Sequence, residues 1–173
     1  RRATVRKAQL FQEMAEAEQI KEINKILLTA AKDYWEWYFA YNNYILLQQS
    51  IAIAQDIFDR TKVGYEYGEV AAIDTVQAKI TLLKRITDFQ QANADRIKAA
   101  LSLSNHLWNV DGAPLELEDN VRPEELPVAR FESSLLTQLV EMARTNHPEL
   151  RKLRLKNQSL MVERNLAREN LTP

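Results

Sequence analysis

Two histidines, His106 and His147, and the acid pair Glu124-Glu125 are the residues from which catalysis or metal binding would have to be built. A zinc site needs imidazoles, thiolates or carboxylates converging at short helical spacing, such as two histidines at i and i+4. Here the histidines stand in different segments, no cysteine is present, and no carboxylate flanks either histidine one helical turn away. No serine has the Gly-x-Ser-x-Gly context of a nucleophile elbow. Glu124-Glu125 belongs to a solvated connector, and Gly64 to Gly68 lacks both the preceding strand and the Lys-Ser/Thr ending of a phosphate loop. No constellation for an enzyme is present, and neither a cofactor nor a metal is expected.

The chemistry that remains is recognition, and composition narrows it. The 173 residues are 46% hydrophobic and 27% charged, with a net charge of −1. Both signs are interleaved, so there is no basic footprint for neutralising phosphates and nucleic acid is not expected as a partner. No apolar run is long enough to span a bilayer as a helix. Only three glycines and five prolines interrupt the chain, leaving long helical tracts. This predicts an all-α protein.

Stepping along the chain, Val5 to Val63 contains no glycine or proline. Ile20, Ile23, Leu27, Ala30, Tyr34, Trp37, Tyr41, Tyr44, Gln48, Ile51, Gln55 and Phe58 alternate steps of three and four, the spacing of a heptad seam. A second line runs about 100° away through Leu28, Ala31, Trp35, Tyr38, Asn42, Ile45, Gln49 and Ala52. Glu22, Thr29, Glu36, Asn43 and Ser50 form a solvated stripe. A helix of roughly 60 residues would measure about 90 Å and would want two neighbours.

The break at Gly64 to Gly68 predicts that the next helix, from Glu69 or Val70 to Leu107, returns along the first as an antiparallel coiled-coil hairpin. Its seam is read as Ile73, Val76, Ile80, Leu83, Thr87, Gln90, Ala94, Ile97 and Leu101, with Leu82, Ile86 and Phe89 on a neighbouring line. Burying one large apolar side chain contributes roughly 1.5–3 kcal/mol, so a hairpin alone would leave much of this driving force unused. The domain reading is a hairpin over 1–108 with its tip at 64–69, a partly extended connector over 109–133, and a further helical part over 134–173. In the connector, Asp111-Gly112 marks a turn and Pro123 could open a short helix at Glu124-Glu125. Asn146-His147-Pro148-Glu149 reads as a helix restart, with Asn146 as cap, and the last helix carries Leu150, Leu153, Leu160, Val162 and Leu166.

This succession resembles the TolC-type outer-membrane efflux channel family. The matching residues are Tyr34-Trp35 on a long helix, then Gly68, Asp74 and Ala78 at and after the turn. Ala143, Asn146-His147-Pro148-Glu149-Leu150, Ala167-Arg168 and Leu171-Thr172-Pro173 follow. The resemblance covers nearly the whole chain, and it is the order of the motifs rather than any one of them that is distinctive. Where members often carry arginine before the tip glycine, this chain has Gly64, with Arg60 one turn earlier. The opening at Arg1-Arg2, inside a helical pattern, and the stop at Pro173 read as a piece of a longer protein lacking the membrane strands.

What the resemblance implies is a trimer of a Gram-negative outer membrane whose helices form a hollow barrel wall in the periplasm. It further implies an equatorial-like connector, and docking onto a periplasmic adaptor protein and an inner-membrane transporter. The tip residues Tyr65, Tyr67, Gly68 and Glu69, with Asp74 just beyond, are the candidate partner-binding set. The plainer alternative has Gly68 supplying backbone freedom, the tyrosines packing locally and Asp74 answering the helix dipole. Tyr34, Trp35, Trp37, Tyr38, Phe39, Tyr41 and Tyr44 are read as packing between helices rather than as a ligand surface. From a different class, the competing reading is a soluble coiled-coil scaffold or adaptor without a transport role.

Overall fold

The computed structural model describes residues 2–124 and 133–171. Among these the protein is all-α, with α1 at Arg2–Glu66, α2 at Ala72–Ser104, α3 at Ser133–Asn146 and α4 at Pro148–Leu171. No described helix is long and apolar enough to cross a membrane. The chain divides into two compact units: Arg1–Leu28 with Leu126–Pro173, and Thr29–Glu125.

In the Thr29–Glu125 unit, α2 runs antiparallel to α1. Tyr44 stacks on Phe89 with ring centroids 5.0 Å apart, and His106 Nε2 lies 2.7 Å from Asp33 Oδ2. The inward line of α1 is Asp33, Trp37, Ala40, Tyr44, Leu47, Ile51, Ala54, Phe58 and Thr61, in alternating steps of four and three, all buried or half-buried. Four of these, Trp37, Tyr44, Ile51 and Phe58, belong to the seam read from sequence. Ala40, Leu47 and Ala54 replace Tyr41, Gln48 and Gln55 in the other half of the repeat, because small residues admit a neighbouring backbone and amides do not gain by burial. Asn43 and Ser50, read as solvated, are half-buried.

The correction on α2 is larger. Its inward line is Thr75, Ala78, Leu82, Arg85, Phe89, Ala92, Arg96, Ala99 and Leu103, again in strict three-four alternation. The line read as the seam is exposed, from Ile73 at 69% to Leu101 at 50%. Of the two lines read from sequence it is the neighbouring one, with Leu82 and Phe89, that turns inward, interleaved with Ala78, Ala92 and Ala99, while Ile73, Val76, Ile80 and Leu83 face away. Trp35 and Phe39 on α1 are likewise exposed, so they do not share the packing of Trp37 and Tyr44.

The reversal lies slightly later than Gly64. Gly64 is inside the last turn of α1, where an added Cβ would come 2.8 Å from Val70 Cγ2. Beyond Glu66, the Gly68 N–H donates to Tyr65 O and the Glu69 N–H to Gly64 O, with Gly68 at φ +75°. This is a Schellman closure, in which a left-handed residue after the helix satisfies its last carbonyls. α2 then begins after Ala71, which supplies no side-chain cap.

α2 ends at Ser104, three residues before the expected Leu107. The Asp111-Gly112 turn brings Trp108 opposite Pro114 in an isolated bridge, with Gly112 at φ +76°. Asn109 fixes it: its N–H donates to Ala113 O and its Oδ1 accepts from the Ala113 N–H. The following segment is tied to α2 by the Leu117 N–H donating to Ser104 Oγ and by Arg96 reaching Asp119. No helix forms at Pro123-Glu124; Glu125 and Pro127 lie outside the described residues, as do Thr172 and Pro173.

In the other unit, α4 runs antiparallel to the start of α1. Leu10 and Ala17 of α1 are buried, as are Leu155 and Ser159 of α4. Around them Lys7 pairs with Glu163, Arg151 with Glu16, Lys152 with Glu18 and Lys21 with Glu149. Leu150, Leu153 and Leu160, expected as the apolar line of α4, are exposed. The restart is capped by His147, not Asn146, since His147 Nδ1 accepts from the Glu149 N–H at 3.3 Å and Asn146 still belongs to α3.

Two expected outcomes follow from this geometry. Gly68→Ala should cost about 1–2 kcal/mol by forcing a side chain into left-handed backbone, and Gly64→Val about 1–3 kcal/mol by overpacking against Val70; urea titration followed by circular dichroism reads both. Hydrogen bonding from Lys152 holds the Glu18 carboxyl below its ordinary 4.5, and hydrogen bonding to Glu149 raises Lys21 above its ordinary 10.5. The Glu18 contribution is therefore present above about 4.5 and lost as pH falls through the lowered value; that of Lys21 is present below about 10.5 and lost as pH rises through the raised one. A pH series of melts should show this unit loosening in acid and in strong base, with a plateau between.

Candidate partner-docking surfaces

The turn after α1 exists because Gly68 can adopt a positive φ, and this projects the side chains on either side of it. Tyr67 is 79% exposed, Tyr65 is 49% exposed, and Glu69 is also exposed. Tyr67 and Glu69 come together with Asp59, Arg60, Val63 and Gly64 around a shallow cleft of about 360 Å³. Tyr65 and Asp74 do not line it. Asp74 sits in the first turn of α2 and borders a separate groove of about 480 Å³, shared with Ile57, Thr61, Val70, Gln77 and Arg85. The candidate set is thus split over two surfaces.

Asp59 and Val63 were not singled out from sequence, and Arg60 only as the arginine one turn before Gly64. Their signal is the helical spacing Asp59, Val63, Tyr67 and Arg60, Gly64, which puts them beneath the turn once α1 is known to continue to Glu66. Arg60 is held by Asp56, with Nη2 2.7 Å from Oδ2, and Asp59 accepts from Gln55 Nε2. The cleft therefore offers an apolar floor from Val63 and Tyr67 between charged groups already engaged along the helix.

A more extended feature lies along the helices. At 100° per residue the exposed line Ile73, Val76, Ile80, Leu83, Ile97 and Leu101 lies roughly 160° around α2 from its inward line. α1 shows the same arrangement, with Trp35, Phe39, Leu46 and Ile53 exposed on the side away from α2. α4 repeats it with Leu153 and Leu160 set against buried Leu155 and Ser159. α1, α2 and α4 thus each have one covered side and one bare apolar line, whereas α3 is exposed at every position described for it from Ser134 to Asn146.

The groups that could carry chemistry are used structurally. His106 ties the exit of α2 to Asp33, His147 caps α4, and among the described residues no cluster of three or more histidines, cysteines or acids could hold a metal. Arg96 is 5.1 Å from the Tyr44 ring and also meets Asp119, joining the connector to the aromatic pair.

Comparison with family models, with curated proteins and with solved structures finds no match.

If the tip residues serve contact rather than closure, Tyr67→Ala should change the stability of the chain by no more than about 0.5 kcal/mol, as for an ordinary surface substitution. A loss above about 1 kcal/mol in the same urea titration would assign the ring to closing the turn.

Proposed function

We propose that this chain is the periplasmic α-helical segment of a TolC-type trimeric outer-membrane channel, exporting substrates as part of a tripartite efflux or secretion system. The observation that carries the reading is the bare apolar line that α1, α2 and α4 each carry besides their covered side. In a barrel wall every helix has a neighbour on both sides, and among the described residues of its own unit each of α1, α2 and α4 leaves one apolar line uncovered. The antiparallel return of α2 at a glycine turn, and of α4 onto the start of α1, supports the same architecture. So does the order of the motifs from Tyr34-Trp35 through Gly68 and Asp74 to the restart at Pro148.

In this proposal the chain performs no catalysis. The coiled-coil hairpin of α1 and α2 forms part of the wall, strands outside this chain supply the membrane barrel, and the turn at Tyr67-Gly68-Glu69 meets the periplasmic adaptor below which the inner-membrane transporter sits. The soluble scaffold reading also uses bare apolar lines, but it requires neither an envelope location nor export.

Ile80→Glu with Leu83→Glu tests the reading in the full-length protein, expressed in cells lacking their own export channels. Both side chains are more than half exposed in the chain, at 54% and 52%, so its helix content should be unchanged. The expected outcome is loss of the cross-linked trimer in membrane fractions and at least a tenfold drop in dye or drug export, about 1.4 kcal/mol or more per tenfold in assembly. A soluble protein, absent from membrane fractions and indifferent in export, would favour the scaffold.

A further inference from the structure

The contact between α4 and the start of α1 is built differently from that between α1 and α2. It buries Leu10, Ala17, Leu155 and Ser159, and the side chains flanking them are ions. Lys21 lies 3.1 Å from Glu149 and 3.6 Å from Glu18, Glu18 also receives Lys152, and Arg151 stands 3.7 Å from Glu16. Lys7 pairs with Glu163 further along. Glu18, Lys21, Glu149 and Lys152 thus form one continuous network spanning the two helices. An exposed ion pair alone contributes little, but a connected network in one register is a different case.

The register is what the charges encode. If α4 advanced by one heptad, Lys156 would face Lys21, while Gln158 and Ser159 would face Glu16 and Glu18. If it retreated by one heptad, Lys156 would face Lys7, and the positions opposite Glu16, Glu18 and Lys21 would fall before Pro148, outside the helix. The advance would bring Val162 and Leu166 to the buried places of Leu155 and Ser159, so apolar spacing alone tolerates it and the charges do not; the retreat would also bring Lys152 to the buried place of Ser159.

We propose that α4 is an electrostatic strap: its register and closure on the start of α1 come from the Glu18, Lys21, Glu149 and Lys152 network, and raised ionic strength releases it while the α1 and α2 pairing persists. The contrast follows from screening, since the reach of exposed charges shrinks from about 10 Å at 0.1 M salt to about 3 Å at 1 M. The other unit is closed by Trp37, Leu82, Ala92, Leu103 and the stacked Tyr44 and Phe89, which salt does not weaken. The inference stands on these contacts alone and does not require the proposed transport role.

The absence of native cysteine makes the test direct. Spin labels at Gln12→Cys with Gln158→Cys report the strap, and at Gln49→Cys with Lys84→Cys the other unit, by double electron–electron resonance at about 0.05 M and about 1 M NaCl. The strap pair should lose its short-distance peak at high salt, and at low salt in Glu18→Lys or Lys152→Glu alone. The peak should return when both reversals are combined, and the second label pair should keep its peak throughout. A strap peak that survives high salt and both single reversals overturns the proposal. So does loss of both label pairs together, which would mean general unfolding.

Discussion

A helix that is apolar on two opposite sides cannot satisfy both with one neighbour, and this constraint governs the structure. Along α2 the inward line is rich in alanine and the outward line in isoleucine, leucine and valine. The small residues let α1 approach closely; the large ones are left for something beyond the chain. At roughly 1.5–3 kcal/mol for each large side chain buried, the outward lines of α1, α2 and α4 hold an unspent driving force comparable with the whole stability of an ordinary domain. A protein that kept such lines in water would be an association hazard, which is the physical ground for the wall element proposed above.

Several polar groups serve the pairing. Arg96 bridges the Tyr44 ring and Asp119, His106 meets Asp33, and Ser104 accepts from the Leu117 N–H. Together they seat the connector against the end of α2, where helical spacing stops. In the other unit the network around Glu18 and Lys21 does for register what aromatic stacking does for α1 and α2.

Much of the fold was legible from spacing and from breakers. The long helix, the reversal near Gly68, the turn at Asp111-Gly112 and the restart before Pro148 all rest on local rules that tertiary packing left intact. Which face of each helix turns inward was less legible, because hydrophobicity ranks isoleucine above alanine whereas close helix pairing selects the reverse. Hence Ala40 and Ala54 stand in place of Tyr41 and Gln55; on α2 both apolar lines were read, and spacing alone did not tell that the line of Leu82 and Phe89, not that of Ile80 and Leu83, turns inward. At the turn, backbone freedom was assigned to Gly68, which its positive φ requires; that Gly64 is a packing glycine against Val70 inside α1 was not legible. Tyr67 and Glu69 could be placed together from sequence, but their separation from Asp74 depends on where α2 begins.

The most direct measurement is the thiol reactivity of single cysteines at Ile80, Leu83, Ile97 and Leu101, taken in the isolated chain and in the cells that express the protein. The account predicts rapid maleimide labelling at all four positions in the isolated chain and protection in the assembled protein, with Lys84→Cys, off the outward line, labelled more freely than its neighbour at 83 in both. Equal and rapid labelling of the four in those cells would contradict it, because the outward line would then have no neighbour to cover it.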